Sequence, residues 1–186
     1  MPTVRPLDAG SWALFAELVE RNGGVFGGCW CIGFHPREDD QPGNREAKHR
    51  RVLGDRAHAA LVIDDEGRAQ GWAQYGRPDE LAAIKHRRAY EKSLPEPPDW
   101  RITCVFVDRR HRHQGVARAA LVGALDLVAR AGGGRVEAIS EVTAGREAQA
   151  RFLFSGTVEL FEDLGFARDR QVGRHAWVVS RTVAAT

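Results

Sequence analysis

Residues 109–118 read RRHRHQGVAR, four arginines and two histidines around one glycine, Gly115. Arginine suits bidentate contacts with phosphate, and glycine lets an anion reach the backbone because no Cβ stands in the way. If a helix opens here, its first N–H groups lack intrahelical acceptors and the macrodipole adds partial positive charge. The implied chemistry is the binding of a phosphate-bearing ligand. Two well-known phosphate loops do not apply. A P-loop ends in Gly-Lys-Ser or Gly-Lys-Thr, which is absent. A dinucleotide fingerprint needs G-x-G-x-x-G, where this stretch has a single glycine.

The flanking elements suit that use. Trp100 to Asp108 is an apolar run that predicts a strand buried on both faces. Simple alternation puts Ile102, Cys104 and Phe106 on one face and Thr103, Val105 and Val107 on the other. Past the basic turn, Ala117, Leu121, Ala124, Leu125 and Val128 mark the apolar face of a helix that Gly132-Gly133-Gly134 ends. Residues 135–140 then form a strand parallel to the first through a right-handed crossover.

Upstream, a strand at 3–7 leads into a helix capped by Asp8 or Ser11, with Leu14, Phe15, Leu18 and Val19 as its buried stripe. A glycine- and aromatic-rich stretch, 23–36, has no helical period, and a basic helix over 43–56 with Asn44 as its cap follows it. An antiparallel hairpin, 58–63 and 68–75, turns at Asp64-Asp65-Glu66-Gly67. A polar helix is predicted over 79–92. Residues 144–164 read as helical in parts, and strands at 167–172 and 175–183 close the chain. The class is α/β (α+β): a mixed, mostly antiparallel central sheet of about six to seven strands flanked by helices, in one domain over 1–186.

Composition narrows the function. With a net charge of only +2, the chain as a whole does not suit nucleic acid, and no apolar run is long enough for a membrane helix. No signal peptide opens the chain, so a cytoplasmic location is expected, as a monomer or homodimer. Three cysteines, Cys29, Cys31 and Cys104, cannot build a disulfide framework. Cys29, Cys31 and His35 resemble part of a metal site, but the spacing falls short of a zinc pattern and no metal is expected.

Two motifs in register resemble the GCN5-related N-acetyltransferase (GNAT) family. Val107-Asp108-Arg109 stands where the family has V-D-P, with Arg109 in place of proline, and Arg112-x-x-Gly115-x-Ala117 meets its R/Q-x-x-G-x-G/A pattern. Leu160-Phe161-Glu162-Asp163-Leu164-Gly165-Phe166 is similar to its F-Y-E-K-x-G-F element. The resemblance implies an acetyl-CoA site whose parallel strand pair splays apart. The pyrophosphate would lie on Arg112, His113, Gln114, Gly115, Val116 and Ala117, with charge from Arg118 and its neighbours. The pantetheine arm would run along Val105, Phe106 and Val107, and a backbone N–H there would polarise the acetyl carbonyl.

The family implication is direct transfer of an acetyl group to a small-molecule or peptide amine. Here the proton-transfer groups depart from its pattern. The usual tyrosine position holds Phe161, and the usual glutamate position holds Arg101. Asp99 is the nearest candidate base, with Glu141 and His86 behind it, and Ser155 or Thr157 could replace the tyrosine hydroxyl. Cys104 would be a nucleophile only with a basic partner. The alternative is an acyl-CoA-binding domain without efficient turnover.

Overall fold

The computed structural model describes residues 3–37, 43–93, 96–145 and 154–186. Seven strands form one mixed sheet in the order β1-β2-β3-β4-β5-β7-β6. They are β1 (Thr3–Pro6), β2 (His58–Ile63), β3 (Ala69–Gly76), β4 (Trp100–Val107), β5 (Gly134–Glu141), β6 (Ala167–Gln171) and β7 (Ala176–Val183). Every pairing is antiparallel except β4 with β5. The helices are α1 (Trp12–Arg21), α2 (Asn44–Leu53), α3 (Arg87–Ser93), α4 (Val116–Arg130) and α5 (Val158–Glu162). Among the described residues no helix is long and apolar enough to cross a membrane.

The stripe on α4 buries Ala120, Leu121, Ala124 and Val128 against Ile102, Val105, Val136 and Val179 on one face of the sheet. On the other face, Phe15, Leu18 and Val19 of α1 pack with Trp72 and Cys104. Each such large apolar side chain, once fully buried, contributes about 1.5–3 kcal/mol. Where α4 begins, Gly71 of β3 is the enabling residue. A Cβ there would stand 2.5 Å from the Phe106 carbonyl oxygen and 2.8 Å from Val116 Cγ1.

The feature that shapes the site is a bulge in β4. Gln74 pairs with Cys104 and Tyr75 with Ile102, so Thr103 has no partner in β3. The extra residue breaks the alternation: Ile102 shares a face with Val105, while Cys104 turns to the α1 side. Simple alternation therefore misplaces Ile102. The pairing of β4 with β5 stops at the same point, after Trp100–Val136, Arg101–Glu137 and Ile102–Ala138.

Two other local expectations change. The N-cap of α2 is Gly43, and Asn44 lies inside the helix, its amide donating to the Gly28 carbonyl at 2.8 Å. The segment 79–92 is helical only from Arg87. Before that its backbone groups find tertiary partners. Arg101 donates to the carbonyls of Pro78 (3.2 Å) and Leu81 (2.9 Å), and Ala83 N–H donates to Phe34 O at 3.0 Å. His86, at φ +52°, closes the irregular stretch.

Candidate active site

Asp108 anchors the turn between β4 and α4. Its own N–H continues the ladder to Gln70 O (2.9 Å), and its fully buried carboxylate faces three donor residues. Arg110 contributes its backbone N–H (3.0 Å) and Nη2 (2.9 Å), Arg21 its Nε (2.9 Å), and Asn22 its Nδ2 (3.3 Å). Hydrogen bonds from Arg110 lead in holding the carboxyl well below the usual range, with Arg21 and Asn22 adding to them against the opposing effect of burial. The end of α1 is thereby tied to the turn. Arg110, committed to this contact, points its charge at Asp108 rather than at a ligand.

Gly115 then takes φ +79° as the N-cap of α4. A Cβ added there would meet no protein atom within 4 Å. Glycine is favoured here by the left-handed backbone, and the space in front of it is open to a ligand. The cleft beside it, about 470 Å³, is lined by Val105, Phe106, Val107, Arg112, His113, Gly115, Val116, Ala117 and Arg118. Of the residues expected to hold the cofactor only Gln114 is missing from that wall; its Nε2 turns back to the Arg110 carbonyl at 3.3 Å. The N–H groups at the start of α4, which have no intrahelical acceptors, and two exposed arginines suit a phosphate-bearing anion.

The same cleft runs along the parted edge of β4. Val105 N–H points across the gap and donates to Phe154 O at 2.6 Å, whereas Asp108 N–H points the other way, to β3. Strand N–H groups alternate, so Val107 N–H shares the direction of Val105. Across the gap, Ser140 Oγ donates to the Ser155 carbonyl at 3.0 Å, and Thr157 caps α5 by accepting from Leu160 N–H at 3.2 Å.

A smaller cavity follows on the other side of the bulge, lined by Phe34, Ile84, Lys85, Tyr90, Arg101, Thr103, Glu137 and Ser155, among others. Glu137, buried there, accepts from Tyr90 Oη (2.8 Å) and pairs with Arg135 (2.7 Å). The Lys85 ammonium sits 3.8 Å from the Phe154 ring centroid, and burial lowers its pKa.

Asp99 is not brought to either space. It lies at the far end of β4, exposed, with its carboxylate accepting the Arg135 N–H at 2.7 Å. Phe161 is fully buried and meets Phe166 edge-on at 4.9 Å, a packing residue. His86 packs against Gly173, whose added Cβ would stand 2.7 Å from its ring. Cys104 is turned to the α1 side, where it neighbours Cys31. That contact, followed by burial, drives its pKa well up, the reverse of an activated nucleophile. Among the described residues no group of three or more His, Cys, Asp and Glu is arranged to hold a metal.

Sequence reasoning missed Lys48. It is fully buried on α2, and its Nζ reaches Gln74 Oε1 (2.6 Å), His35 Nε2 (3.1 Å) and the Cys31 carbonyl (3.3 Å). Burial, then the charges of Lys48 and Arg51, pushes His35 down to about 2, so its ring is neutral, and burial lowers the pKa of Lys48 as well. Gln74 Nε2 in turn donates to Thr103 Oγ1 at 2.9 Å, which ties Lys48 to the bulge.

The model of the acetyltransferase (GNAT) family matches residues 15–166. The chain belongs to the GNAT family. Solved structures share the fold over nearly the full length. Histone acetyltransferase HPA2 and related acetyltransferase from Corynebacterium glutamicum has 20% identity and a TM-score of 0.56, with 100% of this chain and 98% of that one covered. Mosquito arylalkylamine N-acetyltransferase like 5b has 14% identity and a TM-score of 0.57, covering 98% and 100%. The GNAT phosphinothricin acetyltransferase from Sinorhizobium meliloti, solved with AcCoA, has 16% identity and a TM-score of 0.55, covering 98% and 89%. No curated protein matches the chain in sequence. As a GNAT member it is an acyltransferase enzyme.

Proposed function

We propose that this enzyme moves an acetyl group from acetyl-CoA to the amine of a small molecule or peptide by direct transfer within a ternary complex. One observation carries the reading: Gly115 opens α4 toward empty space in the same cleft that receives the outward N–H of Val105. An anion cradle and a carbonyl-polarising donor on one continuous wall suit a phosphate-bearing thioester.

In this reading the first N–H groups of α4, with Arg112 and Arg118, hold the pyrophosphate. The edge of β4 from Val105 to Val107 aligns the pantetheine arm as a neighbouring strand would. Val105 N–H stabilises negative charge that develops on the acyl oxygen. The amine nitrogen bonds to the acyl carbon, the carbon–sulfur bond breaks with its electron pair going to sulfur, and the proton lost by nitrogen ends on the thiol. No protein nucleophile is required. Among the described residues lining the cleft none is a carboxylate, and positioning of amine against thioester supplies most of the rate.

The test is release of CoA thiol from acetyl-CoA in the presence of an amine panel, read with a thiol reagent. Release that depends on one class of amine supports transfer, and binding without release favours the binding-module reading. Gly115→Glu fills the open space with a side chain and a negative charge. It should weaken acetyl-CoA binding at least ~100-fold by calorimetry with the fold intact, since repulsion and lost helix-terminus contacts act together. Unchanged affinity would sink the assignment.

A further inference from the structure

The Val105 N–H that should polarise the acyl carbonyl is already occupied by a carbonyl of the chain itself. Phe154 O lies 2.6 Å from it. The neighbouring residues seat that carbonyl in the gap between β4 and β5. Ser155 O is held by Ser140 Oγ at 3.0 Å, and Thr157 bridges to Glu141 in parallel. The Phe154 ring is gripped from both spaces, by Phe26 of the cleft and by Phe34 and Lys85 of the smaller cavity. Phe26 and Phe34 approach it with ring centroids at 5.8 Å each, and the Lys85 ammonium lies 3.8 Å from its centroid. The seating is incomplete in one respect: Ser155 is 3% exposed, and its buried hydroxyl has no hydrogen-bond partner among the described residues. A buried orphan hydroxyl raises the energy of the state that contains it.

We propose that Phe154 is an internal competitor for the acyl subsite, its carbonyl holding the place of the acyl oxygen on Val105 until acetyl-CoA displaces it. The inference rests on the acetyl-CoA reading above. No covalent bond changes; Val105 N–H exchanges one oxygen acceptor for another, and the Phe154 ring leaves its aromatic clamp. The unliganded enzyme is therefore closed, and apparent affinity is reduced by the fraction of molecules that are open. Phe26, 46% exposed and lining the cleft, is the clamp residue from which the ring is released.

The full-length protein is mixed with acetyl-CoA in a stopped-flow fluorimeter that follows tryptophan emission. For the wild type, the observed rate should level off as acetyl-CoA rises, because opening limits it. Phe154→Gly removes the ring that the clamp holds and should raise the plateau and tighten acetyl-CoA roughly 10-fold, the signature of a more populated open state. Phe26→Ala, which leaves the Phe154 backbone untouched, should shift both in the same direction and serves if the first variant fails to fold. A rate that stays linear in acetyl-CoA for the wild type, with affinity unchanged or weaker in the folded variants, overturns the competitor. Failure of the wild type to bind acetyl-CoA or CoA at all overturns the functional reading beneath it.

Discussion

Asp108 shows how one side chain serves both stability and site geometry. Its carboxylate draws Arg110, Arg21 and Asn22 onto one buried point, so the turn that delivers Gly115 is fixed to α1. Asp108→Ala leaves the Arg21 guanidinium without its buried partner, a loss of roughly 3 kcal/mol and at the low end for buried pairs because Arg21 keeps some solvent. The carboxyl is depressed in the folded state, so its contribution is complete above the unfolded value of about 3.9 and fades as pH falls toward the lower folded one. Melting temperatures of wild type and variant should thus differ fully at pH 5 and above and converge under stronger acid. His58 has the opposite sign. Its Nδ1 meets Glu80 at 2.8 Å and its Nε2 meets Asp55 at 3.1 Å, and the Glu80 hydrogen bond leads in raising its pKa. Its contribution is complete below the unfolded value of about 6.5 and is lost as pH rises through the higher folded one. The melting-temperature gap to His58→Gln should shrink in alkali, and a gap that grew instead would contradict the pairing.

The bulge at Thr103 parts β4 from β5, and the Lys48–Gln74–Thr103 chain holds it from the α2 side. Lys48→Met leaves the Gln74 carbonyl oxygen without its donor and should cost about 1–3 kcal/mol in urea unfolding. Adding Gln74→Leu removes the stranded acceptor and should restore most of that stability. Turnover should stay low in the double variant, because Thr103 has then lost its partner. Recovery of both together would mean that the chain supports the fold only. This part of the site was not legible in the sequence, because a bulge depends on which residue of β3 lies opposite. The α4 turn was legible, because an apolar run, a glycine with positive φ and a helical stripe are consecutive in the chain. Asp99 illustrates the converse: adjacent to β4 in sequence, it lies six residues before Val105, about 20 Å away along an extended strand. The segment before Arg87 reads as helix by composition, yet Arg101 and Phe34 take up its backbone groups.

The sheet as a whole consists of two antiparallel blocks, β1 to β4 and β5 to β7, joined by three parallel register pairs and by the core under α4. A thioester arm lying between β4 and β5 would add backbone bonds where the blocks share fewest. Acetyl-CoA at about 100 times its Kd should raise unfolding free energy by about 2.7 kcal/mol through mass action. Hydrogen exchange should show the added protection concentrated along Val105 to Val107 and the facing end of β5. Protection confined to the Arg112–Ala117 turn would indicate that only the phosphates are held.

A thioester arm held in that seam would also bear on the lifetime of the protein. Proteolysis of a transiently opened chain follows the population of the opened form. A sheet that gains backbone bonds from its own substrate opens less often when the substrate is plentiful. The lifetime of this enzyme in a cell should therefore follow its supply of activated acyl groups, so that protein made during plenty outlasts the same protein made during scarcity.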